Sequence, residues 1–183
     1  MRTLSLVLAS VALTGVVSIA RATTFQELTM DEMIQKSTGI VRAKVTRSHA
    51  ELRGRDIYTY YELQVVENLK AASPKRIEVA VPGGTAAGLR QRVIGAPELN
   101  AGVEYVIFLW TSRSGLTQII GLSQGLFTVT KNADGSTVLA RPAVTEPMVD
   151  KSGHTVNDHA VTMSLNELRS RIQPLKARGK NTQ

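Results

Sequence analysis

The amino-acid sequence predicts a mainly β domain, a small open barrel of the OB type with a short helix at each end. Three observations support this fold class. Apolar residues alternate with polar ones at a period of two, glycine and proline separate the alternating segments, and a helix-capping motif opens a short segment near each end of the mature chain. A β-sandwich is the alternative, because alternation alone does not determine how the strands close.

The N-terminus has the pattern of a secretory signal peptide. Arg2 supplies one positive charge, and residues 4–19 carry no charge. Ala20 and Ala22 then place small residues at the positions that signal peptidase requires. We therefore expect cleavage before Thr23 and a mature protein that is periplasmic or secreted.

The predicted organisation is a signal peptide over residues 1–22, a β-barrel domain over 23–163, and a C-terminal helix with a basic tail over 164–183. In the mature sequence no segment has the roughly 20 apolar residues of a membrane span.

Composition restricts the chemistry of the protein. The chain has 22 Lys and Arg residues against 15 Asp and Glu, and loss of Arg2 and Arg21 would lower the net charge from +7 to +5. A basic balance favours acidic surfaces in general, without choosing among proteins, glycans and lipids. Because there is no cysteine, disulfides, thiolate catalysis and cysteine-ligated zinc are excluded. We expect neither a cofactor nor a nucleic-acid partner.

The first half of the chain predicts a helix and then strands. Thr29 and Glu32 form a capping box for a helix over residues 30–37, which Gly39 ends. Alternating apolar residues then predict strands at 40–47, 56–69 and 76–81.

The second half predicts the remaining strands and a second helix. Residues 104–110 are apolar at nearly every position, which is typical of a central strand covered on both faces. Ser164 and Glu167 form a second capping box, and we expect Pro174 to break or end that helix. Further strands are predicted at 116–122, 126–131 and 136–141, and residues 142–161 have the composition of a loop.

Two catalytic patterns occur in the sequence, and neither is favoured. Ser123 lies in a G-x-S-x-G sequence, but a nucleophile elbow leads into a helix, and here a strand is predicted to follow. The three histidines, His49, His154 and His159, lack the regular spacing of a metal site. Hydrolysis by Ser123, or by a metal held at His154 and His159, is therefore the least favoured reading, and we predict a protein without catalytic or metal-binding residues.

The irregular stretch between the third and fourth strands is the favoured contact surface. Loops on a rigid barrel commonly carry recognition, and glycine allows another backbone to approach closely. Replacing Gly83 and Gly84 with valine is expected to weaken binding while the fold survives. The candidate contact residues are Pro82, Gly83, Gly84, Gly88, Arg90, Arg92, Gly95 and Pro97.

A second candidate surface lies on the outer face of the first two strands. Alternation places Tyr58 and Tyr60 on this face, and Arg42 and Lys44 on the same face of the preceding strand. Aromatic side chains beside basic ones can bind sugars or polyanions by stacking and charge. Ordinary cross-strand packing is the alternative explanation.

A series of short motifs runs through residues 25–131. Its members are Ser37–Val41, Leu69-Lys70, Val81–Gly84, Gly95–Pro97, Gly102–Tyr105, Phe108-Leu109 and Gly121–Gly125. In order and spacing, this series resembles a family of uncharacterised exported bacterial proteins.

The opening of the series also resembles the netrin/TIMP-like OB barrels, with Ala71 where their pattern has glycine after Leu-Lys. The resemblance implies an OB barrel. Tissue inhibitors of metalloproteinases chelate the protease zinc through an N-terminal cysteine held by a disulfide. This chain has no cysteine and would begin at Thr23, so that inhibitory chemistry does not carry over.

Taken together, these features predict an exported, non-enzymatic binding module. The expected partner is another exported protein, with a metalloprotease that the module inhibits or escorts as one partner class. The alternative is a carbohydrate- or polyanion-binding domain of the cell envelope.

Overall fold

The computed structural model describes residues 24–180, with side chains up to Pro174, so the predicted signal peptide and its cleavage residues Ala20, Ala22 and Thr23 lie outside the described part. In chain order the elements are β1 (Phe25–Gln26), α1 (Met30–Lys36), β2 (Gly39–Arg53), β3 (Asp56–Lys70), β4 (Arg76–Pro82), β5 (Gly84–Ala86), β6 (Leu89–Gln91), β7 (Glu104–Thr111), β8 (Thr117–Ile119), a 3-10 turn (Leu122–Gly125), β9 (Leu126–Lys131), β10 (Thr137–Arg141), β11 (Met148–Val149), β12 (Thr155–Val156), β13 (Val161–Ser164) and α2 (Leu165–Lys180).

Five strands form a ring. Strands β7, β2, β3, β4 and β8 pair in that order, and β8 pairs again with β7. The ring is closed by the parallel contact of β4 with β8, at Ala80 and Gln118, while its other pairings are antiparallel. Strand β9 pairs with residues 105–107 of β7, whereas β8 pairs with residues 109–111. Strands β10 and β13 continue the sheet beyond β9. The predicted fold class, a mainly β protein with a small barrel and terminal helices, is confirmed.

Strands β2 and β3 form a long hairpin that is more extensive than the sequence predicts. Each strand has 15 residues, whereas the alternation in β2 ends near Arg47. The pairing register shifts between Val45 and Arg47, and an irregularity of this kind bends and twists a strand. Beyond this shift, residues 48–53 are mostly exposed and are held by pairing with β3, so no apolar pattern reveals them.

The strands β2 and β7 bury both of their faces, in two separate clusters. As predicted for 104–110, β7 is covered on both sides: Tyr105, Ile107 and Leu109 point into the ring, and Val106 and Phe108 point toward the helices. The ring interior also contains Val41, Ala43, Val45, Leu63, Val79, Val81 and Leu99. The helix-side cluster also contains Met33, Ile34, Ile40, Phe127, Leu139, Leu168 and Ile172.

Helix α1 is held at both ends. At its start Thr29 and Glu32 form the predicted capping box. At its end Lys70, the last residue of β3, donates to the carbonyl oxygens of Ile34, Gln35 and Ser37, the last two at 3.0 and 2.5 Å. A cation at a helix C-terminus satisfies otherwise unpaired carbonyls and complements the helix dipole. Burial lowers the pKa of Lys70.

Two predictions about the C-terminal part are wrong. Helix α2 continues through Pro174 to Lys180. Its buried residues Leu168 and Ile172 pack into the helix-side cluster and anchor the part of the helix that precedes Pro174.

The prediction that residues 142–161 form a loop is also wrong, because this stretch contains two short strands. Strands β11 and β12 form a small sheet with β1, which runs parallel to β11. Lys151 lies 2.9 Å from Glu32 in α1. Hydrogen bonds from Lys151, from the Thr29 backbone and from Lys36 lower the pKa of Glu32 to about 2. These contacts join residues far apart in sequence, so local composition does not reveal them.

Replacing Ala71 with glycine is expected to stabilise the fold. Ala71 follows Lys70 and has φ +58°, a left-handed conformation that costs a residue with a Cβ roughly 1–2 kcal/mol. Part of this gain is lost to the greater freedom of glycine in the unfolded chain, so the net gain should be about 0.5–1 kcal/mol. Urea denaturation measures it.

Ala72→Gly is the matched control, since Ala72 is exposed and its φ is not left-handed. If both variants are destabilised alike, the strain assigned to Ala71 is wrong.

Candidate functional site

A wide cleft opens at the mouth of the barrel and has a volume of about 1310 Å³. One wall is the connection from β4 to β7, including residues 82–85 and 90–100. The facing wall is residues 141–146, which comprise the last residue of β10 and the segment that follows it. Between the two walls, the cleft is lined by residues of the ring, among them Thr59 and Tyr61.

Most of the predicted contact residues meet at this cleft. Gly88 is the exception, since it lies at the exposed tip of the hairpin formed by β5 and β6. The residues that line the cleft are Pro82, Gly83, Gly84, Arg90, Arg92, Gly95 and Pro97.

Gly84 allows the chain to approach its own barrel closely. Its φ is +135°, and a Cβ there would lie 2.5 Å from Thr59 Oγ1 and 3.2 Å from the Ala50 Cβ. Gly83 has φ +101°, and its carbonyl accepts a hydrogen bond of 2.8 Å from Thr59. The expectation that the fold tolerates valine at both glycines is therefore wrong, because the added side chain at Gly84 would displace β3 or β5.

The hairpin of β5 and β6 presents the two arginines. Gln91 fixes it to the start of β3, because its side-chain oxygen accepts from the Ile57 amide at 2.5 Å and its nitrogen donates to Asp56 at 3.3 Å. Arg90 and Arg92 flank Gln91 and are exposed. Within residues 24–180 no carboxylate forms an ion pair with either.

The segment 93–100 is fixed from both sides. Gly95 has φ +75° and lies under the Phe25 ring of β1, so a Cβ there would be 2.8 Å from the ring. Leu99 inserts into the ring interior, and the Asn100 amide donates to the Tyr105 hydroxyl at 3.1 Å. The cleft wall therefore has a defined shape rather than that of a loose loop.

The facing wall depends on a buried ion pair that sequence reasoning missed. Arg141 is 6% exposed and lies over the Phe127 ring, 6.0 Å from its centroid. Its guanidinium donates to both oxygens of Asp158, at 2.5 and 3.0 Å. Asp158 also accepts from the Val144 amide at 2.7 Å, which holds residues 142–146 against the cleft.

The same contacts determine the charge of Asp158. Burial opposes ionisation of this carboxyl, but the hydrogen bonds from Arg141 and from the Val144 amide outweigh that effect, so the pKa of Asp158 is lowered. The two residues are 17 positions apart in an irregular stretch, and no local pattern links them.

The alternative surface is not assembled into one platform. Arg42 forms ion pairs with Glu104 and, at 3.7 Å, with Glu67. Lys44 is opposite Gln64, whereas Tyr60 is opposite His49, several residues further along the hairpin.

Tyr60 is itself buried, although alternation places it on the outer face. It stacks on His49 with ring centroids 5.3 Å apart and contacts Tyr58 at 6.3 Å. Tyr58 and Tyr60 therefore pack with His49, whereas Arg42 is ion-paired to glutamates elsewhere on the sheet. The two tyrosines and the two basic residues do not form one binding surface.

The less favoured catalytic residues are not brought together either. Ser123 lies in the 3-10 turn and lines the cleft, and β9 follows it directly, as the sequence predicts. His154 contacts Asp150 at 3.4 Å, while Asp158 is held by Arg141.

Comparisons of the chain with family models, curated proteins and solved structures return no match. Among residues 24–180, no helix is long and apolar enough to cross a membrane.

Replacing Asp158 with asparagine should cost about 3 kcal/mol, because it leaves the Arg141 charge buried without its partner. Urea denaturation tests this, with Asp134→Asn in an exposed hairpin turn as the control. A loss below about 1 kcal/mol would contradict the importance assigned to the pair.

The pair also predicts a pH dependence. A lowered pKa in the folded state stabilises the fold at pH values above the ordinary Asp pKa of about 3.9, and this contribution is lost as the pH falls through the folded value. The stability difference between wild type and Asp158→Asn should therefore be full at pH 7 and shrink below about pH 4. A difference that stays constant down to pH 2 would contradict this assignment.

Proposed function

We propose that this chain is an exported, non-enzymatic protein-binding module and that the cleft is its contact surface. The observation that carries the proposal is the convergence of the predicted contact residues on one large cleft. The absence of enzymatic activity is part of the proposal, and it is supported by the strand that follows Ser123 where a nucleophile elbow needs a helix.

The size of the cleft favours a segment of a protein over a small molecule. Small-molecule sites generally have volumes of about 300–1,000 Å³. This cleft measures about 1310 Å³ and is lined by apolar residues such as Val93 and Ile94 together with charged ones. Protein interfaces likewise combine apolar area with polar and charged groups.

The walls are held in place before a partner binds. Gln91 fixes the β5–β6 hairpin, Phe25 covers Gly95, and Arg141 with Asp158 holds the opposite wall. Each contact lowers the conformational entropy that binding would otherwise cost.

We expect the charged residues at the rim of the cleft to contribute most to binding. Arg90 and Arg92 are exposed on one wall, and arginine is enriched among the residues that dominate protein interfaces. Glu98 and Glu146 also line the cleft. We therefore expect a partner segment that places acidic groups at the β6 wall and at least one basic group elsewhere.

Charge reversal at the rim tests the proposal. A photo-crosslinking residue in place of Thr85, which lines the cleft and is exposed, should form an adduct with a protein from the envelope or secreted fraction of the source cells. Against that purified partner, Arg90→Glu with Arg92→Glu should weaken binding at least about tenfold, or about 1.4 kcal/mol.

The matched control reverses two exposed charges away from the cleft, Arg113→Glu with Lys131→Glu. Equal losses in the two double variants would show only a general charge effect and would contradict the site. If the protein captures a glycan at low salt only and forms no protein adduct, the alternative of a carbohydrate- or polyanion-binding domain of the cell envelope would be favoured.

An exported metalloprotease is one partner class within this proposal, without the cysteine-based zinc chelation that tissue inhibitors of metalloproteinases use. If the crosslinked protein is a protease, the module is expected to change its activity in a manner abolished by the Arg90 and Arg92 reversals. If protease activity is unchanged, inhibition is excluded, and the proposal is that the module escorts the protease.

A further inference from the structure

The barrel places three metal-ligating side chains together on its outer face. His49 is on β2, Glu62 on β3 and Glu78 on β4. One imidazole nitrogen and one oxygen of each carboxylate all lie within 4.8 Å of one another. No local spacing in the sequence predicts this, since each residue comes from a different strand.

Strand register brings the two carboxylates face to face. Glu62 is directly opposite Glu78 in the antiparallel pair of β3 and β4, and like charges in that position repel. Arg47 lies 2.6 Å from one oxygen of Glu62, but the Arg47 side chain is 75% exposed. Glu78 forms no ion pair with any residue in the described part of the chain. The charge of Arg76 also acts on Glu62, so the two carboxylates share this face with two guanidinium groups, of which Arg47 is the one ion-paired to Glu62.

The imidazole is held in position beside these carboxylates. The His49 ring stacks on Tyr60, with centroids 5.3 Å apart and planes inclined by 15°. Tyr60 is buried and also contacts the Tyr58 ring. A ligand oriented by a fixed neighbour on a strand binds a metal with less loss of entropy than a ligand on a mobile loop.

We propose that His49, Glu62 and Glu78 form a binding site for a divalent transition-metal ion of the Zn²⁺ class. One nitrogen and two carboxylate oxygens are ligands that zinc accepts, with a fourth position left for water or another ligand. Tetrahedral coordination with bonds of 2.0–2.2 Å places ligand atoms about 3.4 Å apart, so small side-chain rotations complete the geometry.

The ligand set selects against the common alkaline-earth ions. Ca²⁺ takes six to eight oxygen ligands, and Mg²⁺ requires near-octahedral oxygen coordination. An imidazole favours zinc and its transition-metal neighbours instead. The site is separate from the cleft, because the cleft is lined by Thr59 and Tyr61, whereas Glu62 follows the outward alternation of β3.

Calorimetric titration of the purified, tag-free protein with ZnCl₂ tests the proposal. We expect one equivalent to bind, with Ca²⁺ and Mg²⁺ unable to compete. His49→Ala and Glu78→Gln should each weaken binding at least about tenfold, and both residues are exposed, so the fold should persist and circular dichroism should be unchanged.

Two variants distinguish this site from adventitious binding. His154→Ala removes another exposed histidine, in a loop outside the proposed site, and should leave binding unchanged. Arg47→Gln removes the cation that competes for Glu62 and should strengthen binding. The proposal is overturned if zinc does not bind saturably, or if His154→Ala weakens binding as much as His49→Ala.

Discussion

The fold depends on two strands that bury both faces. Because β2 and β7 lie between the ring interior and the helix-side cluster, a residue such as Ile40 packs beneath the helices while the adjacent Val41 packs inside the barrel. A slip of one residue in either strand would exchange these two environments and disrupt both clusters. The shared strands therefore fix the barrel relative to helices α1 and α2, and Lys70 reinforces that relation by capping α1.

This rigid base is what gives the cleft its form. The connection from β4 to β7 crosses the barrel mouth and is anchored at several points, among them Gly84 against Thr59 and Leu99 in the ring interior. The opposite wall depends on Arg141, whose buried charge is compensated by Asp158. A glycine-rich connection that would be mobile in isolation thus becomes a shaped surface, with Arg90 and Arg92 presented at its rim.

Sequence reasoning succeeded where structure is local. The capping box at Thr29 identifies helix α1, and the continuous apolar pattern of residues 104–110 identifies β7 as a strand covered on both faces. Both signals lie in residues that are adjacent in sequence. It failed where pairing is distant. The far end of β2, the strands within 142–161 and the Arg141–Asp158 pair depend on contacts between remote segments. The candidate contact loop was found through its glycines and arginines, whereas the facing wall has no such signal.

We propose that both walls of the cleft contact one protein partner. Hydrogen–deuterium exchange of the module with and without its purified partner tests this most directly. The account predicts slower exchange at residues 83–100 and 141–146 together, with no change on the outer face of β3 and β4. Protection confined to that outer face, or to one wall only, would contradict it.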